Sequence, residues 1–151
     1  MRVNNKKIGV EFEKGYSNQN GKICEKIPGY HNILDKRLFD FAVNIVRYIL
    51  TLPVKKEFDV FRYQLSKAGT SIGANYQEAI GAFNRKDFIY KLSICLKEAR
   101  ESNYWLRILN KLQLGEEGLR KQLETESLEF TKIFTSSVKT TRSSSPSKSK
   151  I

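Results

Sequence analysis

Apolar positions recur at steps of three and four residues along most of the chain from residue 31 to residue 138. This is the period of amphipathic helices, and no segment competes with it by the period of two that marks a strand. Pro53, the turn at Asn84 and Gly115 divide the pattern into four helices. Short connections between four helices predict an all-α fold, an antiparallel up-and-down four-helix bundle. The predicted helices are Asn32–Leu52, a second helix from Glu57 or Asp59 to about Phe83, a third helix that ends at Gly115, and Glu116–Val138.

The first predicted helix carries two neighbouring apolar stripes. A helix that is apolar over so wide an arc usually contacts more than one neighbour. We therefore expect the second stripe to face something other than the core of its own bundle. The first stripe is Leu34, Leu38, Phe41, Ile45, Ile49 and Leu52, and the second is Phe39, Val43, Val46 and Leu50.

The composition divides the chain into three parts. Residues 1–30 read as an irregular N-terminal arm, residues 31–138 as the four-helix bundle domain, and residues 139–151 as a disordered Ser/Lys-rich tail with too few apolar residues to fold. No apolar run is long enough to span a membrane, and the N-terminus lacks the apolar stretch of a secretory signal. We expect a cytoplasmic protein with no membrane contact.

The net charge of +11 is the strongest compositional signal. It divides into +3 over residues 1–30, +3 over residues 31–131 and +5 over residues 132–151. Positive charge favours polyanions such as RNA or DNA, although surface lysines also serve simply to keep a protein soluble. In an antiparallel bundle the first and second loops lie at opposite ends, so their basic pairs would not form one patch. The candidate nucleic-acid-binding residues are Lys55, Lys56, Arg62, Arg85, Lys86 and Lys91.

Residues suited to catalysis or metal binding are few. His31 is the only histidine and precedes the first helix, so a Glu-x-x-His di-metal site cannot form. Cys24 and Cys95 have no metal-ligand spacing and are expected to be free thiols. Three helical glutamates, Glu78, Glu98 and Glu101, could gather around a metal, but ion pairs with nearby lysines and arginines are the favoured interpretation. We predict no enzyme, no catalytic or metal-binding residue and no cofactor.

The stretch from Gln64 to Ala79 has unusually small side chains, including Gly69 and Gly73. Glycine inside a helix costs roughly 1 kcal/mol relative to alanine, so a close approach of another helix is expected there. Asn75 and Glu78 are candidates for hydrogen bonds across that contact. Large side chains on the third helix, Tyr104 and Trp105, could fill the space opposite; for Trp105, packing is favoured over base stacking.

Two blocks, QLSKAGTSIGANYQEA and KEARESNYWL, resemble the 23S rRNA intervening-sequence proteins. The resemblance covers about residues 33–135 and implies a bacterial four-helix bundle of unsettled role. Related bundles are accessory proteins of diversity-generating retroelements, in which a basic homopentamer works with a reverse transcriptase and nucleic acid. The resemblance therefore implies a homo-oligomer, with five copies expected, although a dimer would also cover the first helix. The structural signature positions are Gln64, Ser71, Asn75, Glu78, Glu98, Glu101 and Trp105.

Two functions follow from these expectations. The first is a non-catalytic oligomeric bundle that binds RNA or other nucleic acid through basic surface residues. The alternative is a protein-interaction scaffold or accessory subunit that docks a protein partner and does not bind nucleic acid directly. A metal-dependent enzyme using the three glutamates is a remote third option.

Overall fold

A computed structural model describes residues 30–143 of the chain. Helices that follow one another pack side by side, and the first helix closes the ring against the fourth, whereas the backbones of the two diagonal pairs do not approach each other within the described residues. Side chains of the second and fourth helices nevertheless meet in the core, where the rings of Tyr76 and Phe134 have centroids 6.1 Å apart. This confirms the predicted all-α up-and-down bundle. The predicted N-terminal arm up to residue 29 and the tail from residue 144 onward lie outside the described residues. The helices are α1 Tyr30–Ile49, α2 Asp59–Ile80, α3 Arg85–Lys111 and α4 Glu117–Ser143, with a 3-10 turn at Lys56–Phe58 before α2.

The connection between α2 and α3 begins earlier than predicted. Gly81 caps α2 after Ile80. Phe83, which the sequence placed at the end of this helix, therefore lies outside it and is 91% exposed. At the start of α3 the prediction is confirmed, because the Asn84 side chain accepts a hydrogen bond of 2.9 Å from the Asp87 amide. An Asn cap and the Asp87 carboxylate in the first turn both suit the positive end of the helix dipole.

The last helix is longer than the sequence indicated. α4 continues to Ser143, which corrects the predicted end of the bundle at residue 138 and of the last helix at Val138. Thr141 is fully buried, and its hydroxyl donates to the Ser137 carbonyl at 2.7 Å. The Ser/Thr-rich composition concealed this extra turn because small hydroxyl side chains can bury themselves when they bond the backbone of their own helix.

The core matches most of the predicted stripes. Seven positions recur at steps of three and four residues along α3, and all of them are buried. They are Phe88, Leu92, Cys95, Ala99, Ser102, Leu106 and Leu109. Aromatic side chains join the layers across the bundle, and the rings of Phe41 and Phe130 meet edge to face with centroids 5.3 Å apart. On α4, Leu128 is exposed and Ser127 takes the inward position instead. α3 also ends earlier than predicted, at Lys111 rather than beside Gly115.

The two glycines of α2 face α1 rather than α3. A Cβ atom at Gly69 would lie 2.7 Å from Ile45 Cγ1, well inside van der Waals contact. A Cβ atom at Gly73 would lie 3.6 Å from the Cβ of Leu38, also on α1, which is an ordinary contact distance. The expected close helix contact is therefore present, but its partner differs from the Tyr104 and Trp105 region that the sequence suggested.

Substitution by alanine is expected to have opposite effects on stability at Gly69 and at Gly73. Alanine favours a helix over glycine by up to about 1 kcal/mol, and at Gly73 nothing opposes that gain. At Gly69 the new methyl would overpack Ile45, at a typical cost of about 1–3 kcal/mol. We expect Gly69→Ala to lower the free energy of unfolding by about 1 kcal/mol or more and Gly73→Ala to raise it. Urea unfolding of both variants measures this, and a Gly69→Ala protein as stable as Gly73→Ala would contradict the close contact.

A polar cluster ties together the two loops at one end of the bundle. The Tyr48 hydroxyl donates to the Leu114 carbonyl at 2.8 Å, and the Glu116 amide donates to the Thr51 hydroxyl at 2.9 Å. Burial raises the pKa of Tyr48 above its ordinary value, against the opposing effect of the nearby Arg120 charge. Gly115 passes beneath this cluster with a φ of +70°, where a Cβ would meet the Tyr48 ring.

Candidate functional site

The predicted nucleic-acid-binding residues divide between the two ends of the bundle. Lys55 and Lys56 are exposed in the connection between α1 and α2, and Lys86 is exposed at the start of α3. None of the three forms an ion pair with a carboxylate of the described residues. The up-and-down topology places the two lysines and Lys86 at opposite ends. These cations are free to meet a polyanion, but they do not form one patch on a single chain.

Arg62 stabilises the connection between α1 and α2. Its guanidinium donates to the Leu52 carbonyl at 3.2 Å, to the Pro53 carbonyl, and to the Asp59 carboxylate at 2.9 Å. These bonds satisfy carbonyls just after the end of α1. The Arg62 guanidinium is therefore already hydrogen-bonded within the fold, and a ligand that contacted it would compete with the loop carbonyls.

Arg85 and Lys91 also have partners within the chain. Arg85 donates to the Thr141 carbonyl on α4, and Lys91 forms an ion pair with Glu78 across the contact of α2 and α3. The hydrogen bond to Glu78 raises the pKa of Lys91 above its ordinary value. Three of the six predicted binding residues thus hold parts of the bundle together.

The predicted hydrogen bonds across a close contact are only half present. Asn75 donates to the Ser71 carbonyl of its own helix at 2.9 Å, which corrects the expectation that it bonds across to another helix. Glu78 does bridge two helices, through Lys91 of α3. Gln64 and Ser71 are half-buried on α2. These α2 residues therefore act mainly within the helix or toward α3, whereas the glycines beside them face α1.

The signature residues of α3 lie near the same contact with α2. The Trp105 ring packs edge to face on Phe61 of α2 at 6.0 Å, and its indole N–H donates to Glu101 at 3.4 Å. Glu98 is buried, with its carboxylate 3.6 Å from the Lys97 ammonium. Packing is thus the fate of Trp105, as the sequence favoured, and the glutamates have polar partners as expected.

No arrangement for nucleophilic catalysis is visible around the buried thiol. Cys95 is a free, fully buried cysteine whose Sγ lies 3.5 Å from the Ile72 carbonyl. Burial raises the pKa of Cys95 to about 12, and the neighbouring Glu78 and Glu98 charges act in the same direction. A thiol with such a pKa is protonated at neutral pH and unreactive. Cys24 lies outside the described residues.

The described residues also contain no group of three or more His, Cys, Asp or Glu side chains that could hold a metal ion. None of the helices between residues 30 and 143 combines the length and apolar character needed to cross a bilayer.

An apolar face of α1 is left uncovered. The second stripe, Phe39, Val43, Val46 and Leu50, points away from the core and is named here the α1 apolar face. Phe39 is 68% exposed, Val46 46% and Leu50 79%. Soluble proteins seldom expose a continuous apolar strip of this kind unless it binds something. This is the exposed arc that the sequence predicted.

A groove between α1 and α4 borders the α1 apolar face. It encloses about 480 Å³, and Phe39 and Val43 line it on one side and Gln122 on the other. Arg37 spans the two helices beside it, with ion pairs to Glu126 at 2.9 Å and Glu129 at 2.7 Å. Partial burial lowers the pKa of Arg37, but the two carboxylates outweigh it and hold the pKa above its ordinary value. The groove is therefore bordered by apolar groups and by an arginine that is already paired with two carboxylates.

Basic residues on the outward side of α3 were not among the sequence predictions. Lys97, Arg100, Arg107 and Lys111 are all exposed. The signal was available, because these positions repeat at three- and four-residue steps on the side of α3 away from its apolar stripe. Arg120, buried at the loop cluster, was missed as well, and no sequence signal distinguishes it from a surface arginine.

Comparison with known proteins shows similarity to one protein family and to solved structures. The profile of the family described as 23S rRNA-intervening sequence protein matches residues 32–136. A crystal structure of a Bacteroides thetaiotaomicron VPI-5482 protein of unknown function from the S23 ribosomal protein family is 37% identical. It superposes with a TM-score of 0.65, and the match covers 72% of this chain and 97% of that one. Among curated proteins, none matches the chain.

Proposed function

The chain belongs to the family of 23S rRNA-intervening sequence proteins, and from this premise we propose that it is a cytoplasmic, non-catalytic homo-oligomer that binds RNA through basic surface residues. The observation that carries the proposal is the excess of positive charge, +11 over 151 residues. Its exposed part includes Lys55, Lys56 and Lys86, whose ammonium groups have no carboxylate partner in the described part of the chain. Cations in this condition gain most from neutralising phosphates, because no internal ion pair must first be broken. The family description refers to 23S rRNA, which makes RNA the first polyanion to test.

The α1 apolar face supports the oligomeric part of the proposal. A second copy of the chain would remove Phe39, Val46 and Leu50 from water, which favours association by about 25 cal/mol for each Å² of apolar surface buried. The resemblance of the sequence implies five copies. The same face also supports the alternative function, a scaffold that docks a different protein, and the mass of the purified chain separates the two.

RNA binding by the full chain is expected to weaken steeply with salt. Each phosphate neutralised on a single strand contributes about −0.7 to the slope of log K against log salt concentration. We expect a slope of about −2 or steeper, as for three or more phosphate contacts. Fluorescence anisotropy of a labelled 20-nucleotide RNA over a series of salt concentrations measures it.

A methylphosphonate oligonucleotide of the same base sequence is the matched control. It lacks backbone charge, so its binding should be weak at every salt concentration. A slope near zero for the RNA, or equal binding of the uncharged analogue, would overturn the proposal that basic residues bind RNA.

A further inference from the structure

We propose that the outward side of α3 is a binding track for single-stranded RNA, in which cations contact phosphates and two tyrosines stack on bases. This inference rests on the proposed function and assigns it a site. The track, named here the α3 stripe, repeats at alternating steps of four and three residues along the whole helix. It consists of Lys86, Tyr90, Ser93, Lys97, Arg100, Tyr104, Arg107 and Lys111.

The α3 stripe is continuous and accessible. Ser93 is half-buried, and every other member is exposed. The alternating spacing keeps all eight residues on one side of the helix. From Lys86 to Lys111 the helix rises about 37 Å at 1.5 Å per residue, a length that accommodates several nucleotides of an extended strand.

The charge of the α3 stripe has one sign. Five of its eight members are cations and none is an acid. Three acids of α3 lie beside the stripe. Glu98 is buried, and Glu101 accepts from the Trp105 indole. Asp87 is half-buried in the first turn, at the positive end of the helix dipole. Lys97 shares its ammonium with Glu98 at 3.6 Å, but an exposed pair of this kind is weak and leaves the cation able to meet a phosphate.

The tyrosines indicate a single strand rather than a duplex. Tyr104 is 56% exposed and lies between Arg100 and Arg107 of the stripe. Tyr90 is 61% exposed and lies one turn after Lys86, and the Lys91 ammonium is 6.0 Å from the centroid of its ring. The Tyr104 ring meets the Trp105 ring edge to face at 5.2 Å, which orients it without covering it. Exposed aromatic rings alternating with cations form the stacking platform of single-strand binders, whereas a duplex keeps its base faces hidden.

The other described helices lack this combination. The outward residues of α2 from Val60 to Gln77 include one cation, Lys67. α4 has exposed cations, but both of its aromatic side chains are buried. α1 carries the apolar face instead. Because α1 and α3 are diagonal in the bundle and their backbones do not approach each other, a copy docked on the α1 apolar face would leave the α3 stripe open.

Two sets of substitutions in the full chain test the α3 stripe. The first removes three stripe charges, Lys97→Gln, Arg100→Gln and Arg107→Gln, and the second removes both rings, Tyr90→Ala and Tyr104→Ala. The matched control removes three exposed charges from α4. Its substitutions are Lys132→Gln, Lys139→Gln and Arg142→Gln.

The measurement is anisotropy of a labelled 20-nucleotide single-stranded RNA and of its duplex, with circular dichroism to establish folding. We expect the stripe-charge variant to lose at least tenfold in affinity and to flatten the salt slope by about 2, and the control to lose less than threefold. The tyrosine variant should lose about tenfold with its salt slope unchanged, because stacking displaces no counterions. The duplex should bind the wild-type chain more weakly than the single strand.

The outcomes separate this inference from the proposed function. If the wild-type chain binds no RNA, the proposed function fails and the α3 stripe with it. If the wild-type chain binds RNA and the control loses as much affinity as the stripe-charge variant, the α3 stripe is wrong while the proposed function stands. Tyrosine substitutions without effect, or a duplex bound as tightly as the single strand, would overturn the single-strand assignment.

Discussion

Replacement of Arg120 by Met is expected to lower the free energy of unfolding by about 3 kcal/mol. Arg120 is 4% exposed on α4. Its guanidinium donates to Asn110 Oδ1 at 3.0 Å, to the Leu114 carbonyl at 2.5 Å and to the Gly115 carbonyl at 3.2 Å. One side chain thus satisfies acceptors in α3 and in the connection that follows it.

The magnitude follows from the acceptors left behind. A hydrogen bond to a charged donor contributes about 1.5–3 kcal/mol, and the three bonds share one cation, so their losses do not add. Methionine keeps much of the aliphatic stem of Arg120, which limits the packing loss. The Leu114 carbonyl also accepts from the Tyr48 hydroxyl, so this carbonyl keeps one hydrogen bond in the variant. Urea unfolding measures the difference from the wild-type chain.

Lys121 is the matched control, because it is the next cation along α4 and is exposed. Its only ion pair in the described residues is with Glu117 one turn earlier, and surface pairs of this kind contribute less than about 1 kcal/mol. Lys121→Met should therefore leave stability nearly unchanged. Equal losses for the two variants would show that Arg120 contributes by charge alone and not through the loop cluster.

Substitution of two residues of the α1 apolar face is expected to convert the proposed oligomer into a monomer. Phe39→Glu and Val46→Glu together would bury two uncompensated carboxylates in an apolar contact, which costs several kcal/mol. A rise of at least 100-fold in the dissociation constant follows. Neither residue belongs to the bundle core, so the helical content should persist. Light scattering at micromolar concentration measures the mass, and circular dichroism the helix content.

The control changes exposed apolar residues on other helices. Val60 of α2 and Leu128 of α4 are at least as exposed as Val46, at 48% and 46%. A Val60→Glu and Leu128→Glu variant should keep the wild-type mass. A wild-type chain that is itself a monomer would overturn the proposed homo-oligomer, and an assembly that survives the α1 substitutions would place its interface elsewhere.

Assembly and RNA binding would reinforce each other. Several copies joined through α1 would present several α3 stripes to one strand, and linked sites bind with higher avidity than one site alone. The double α1 variant should therefore also bind a long RNA less tightly than the wild-type chain, although its own α3 stripe is intact.

Much of the fold was predictable because the helices bury regular stripes. The seven core positions of α3 from Phe88 to Leu109 are all buried, and Asn84 caps that helix. On α4 the inward positions include Arg120, Ser127 and Thr141, and polarity hid them from a search for apolar residues. Their burial depends on hydrogen bonds that only the folded chain supplies, such as the 3.0 Å bond from Asn103 to the Ser127 hydroxyl.

The candidate site was less predictable than the fold. The α1 apolar face was anticipated as a second stripe. Of the six predicted basic residues, four form adjacent pairs at loops, and Arg62 and Lys91 were predicted along helix faces. Arg62 donates to the Pro53 carbonyl in the preceding connection, and Arg85 donates to the Thr141 carbonyl on another helix, so composition could not reveal these contacts. The outward cations of α3 were detectable from spacing, had the search extended to polar periodicity.

The sequence by itself determined the number and approximate extent of the helices and the family of the chain, because three- and four-residue periodicity and the small residues of α2 are local properties. Only the tertiary structure decided which helix approaches those glycines. Ile45 of α1 lies against Gly69, whereas Trp105 of α3 packs on Phe61, nearer the N-terminus of α2. Such pairings depend on the rotation of each helix within the bundle. That rotation results from packing all four apolar faces together, so no single helix sequence specifies it.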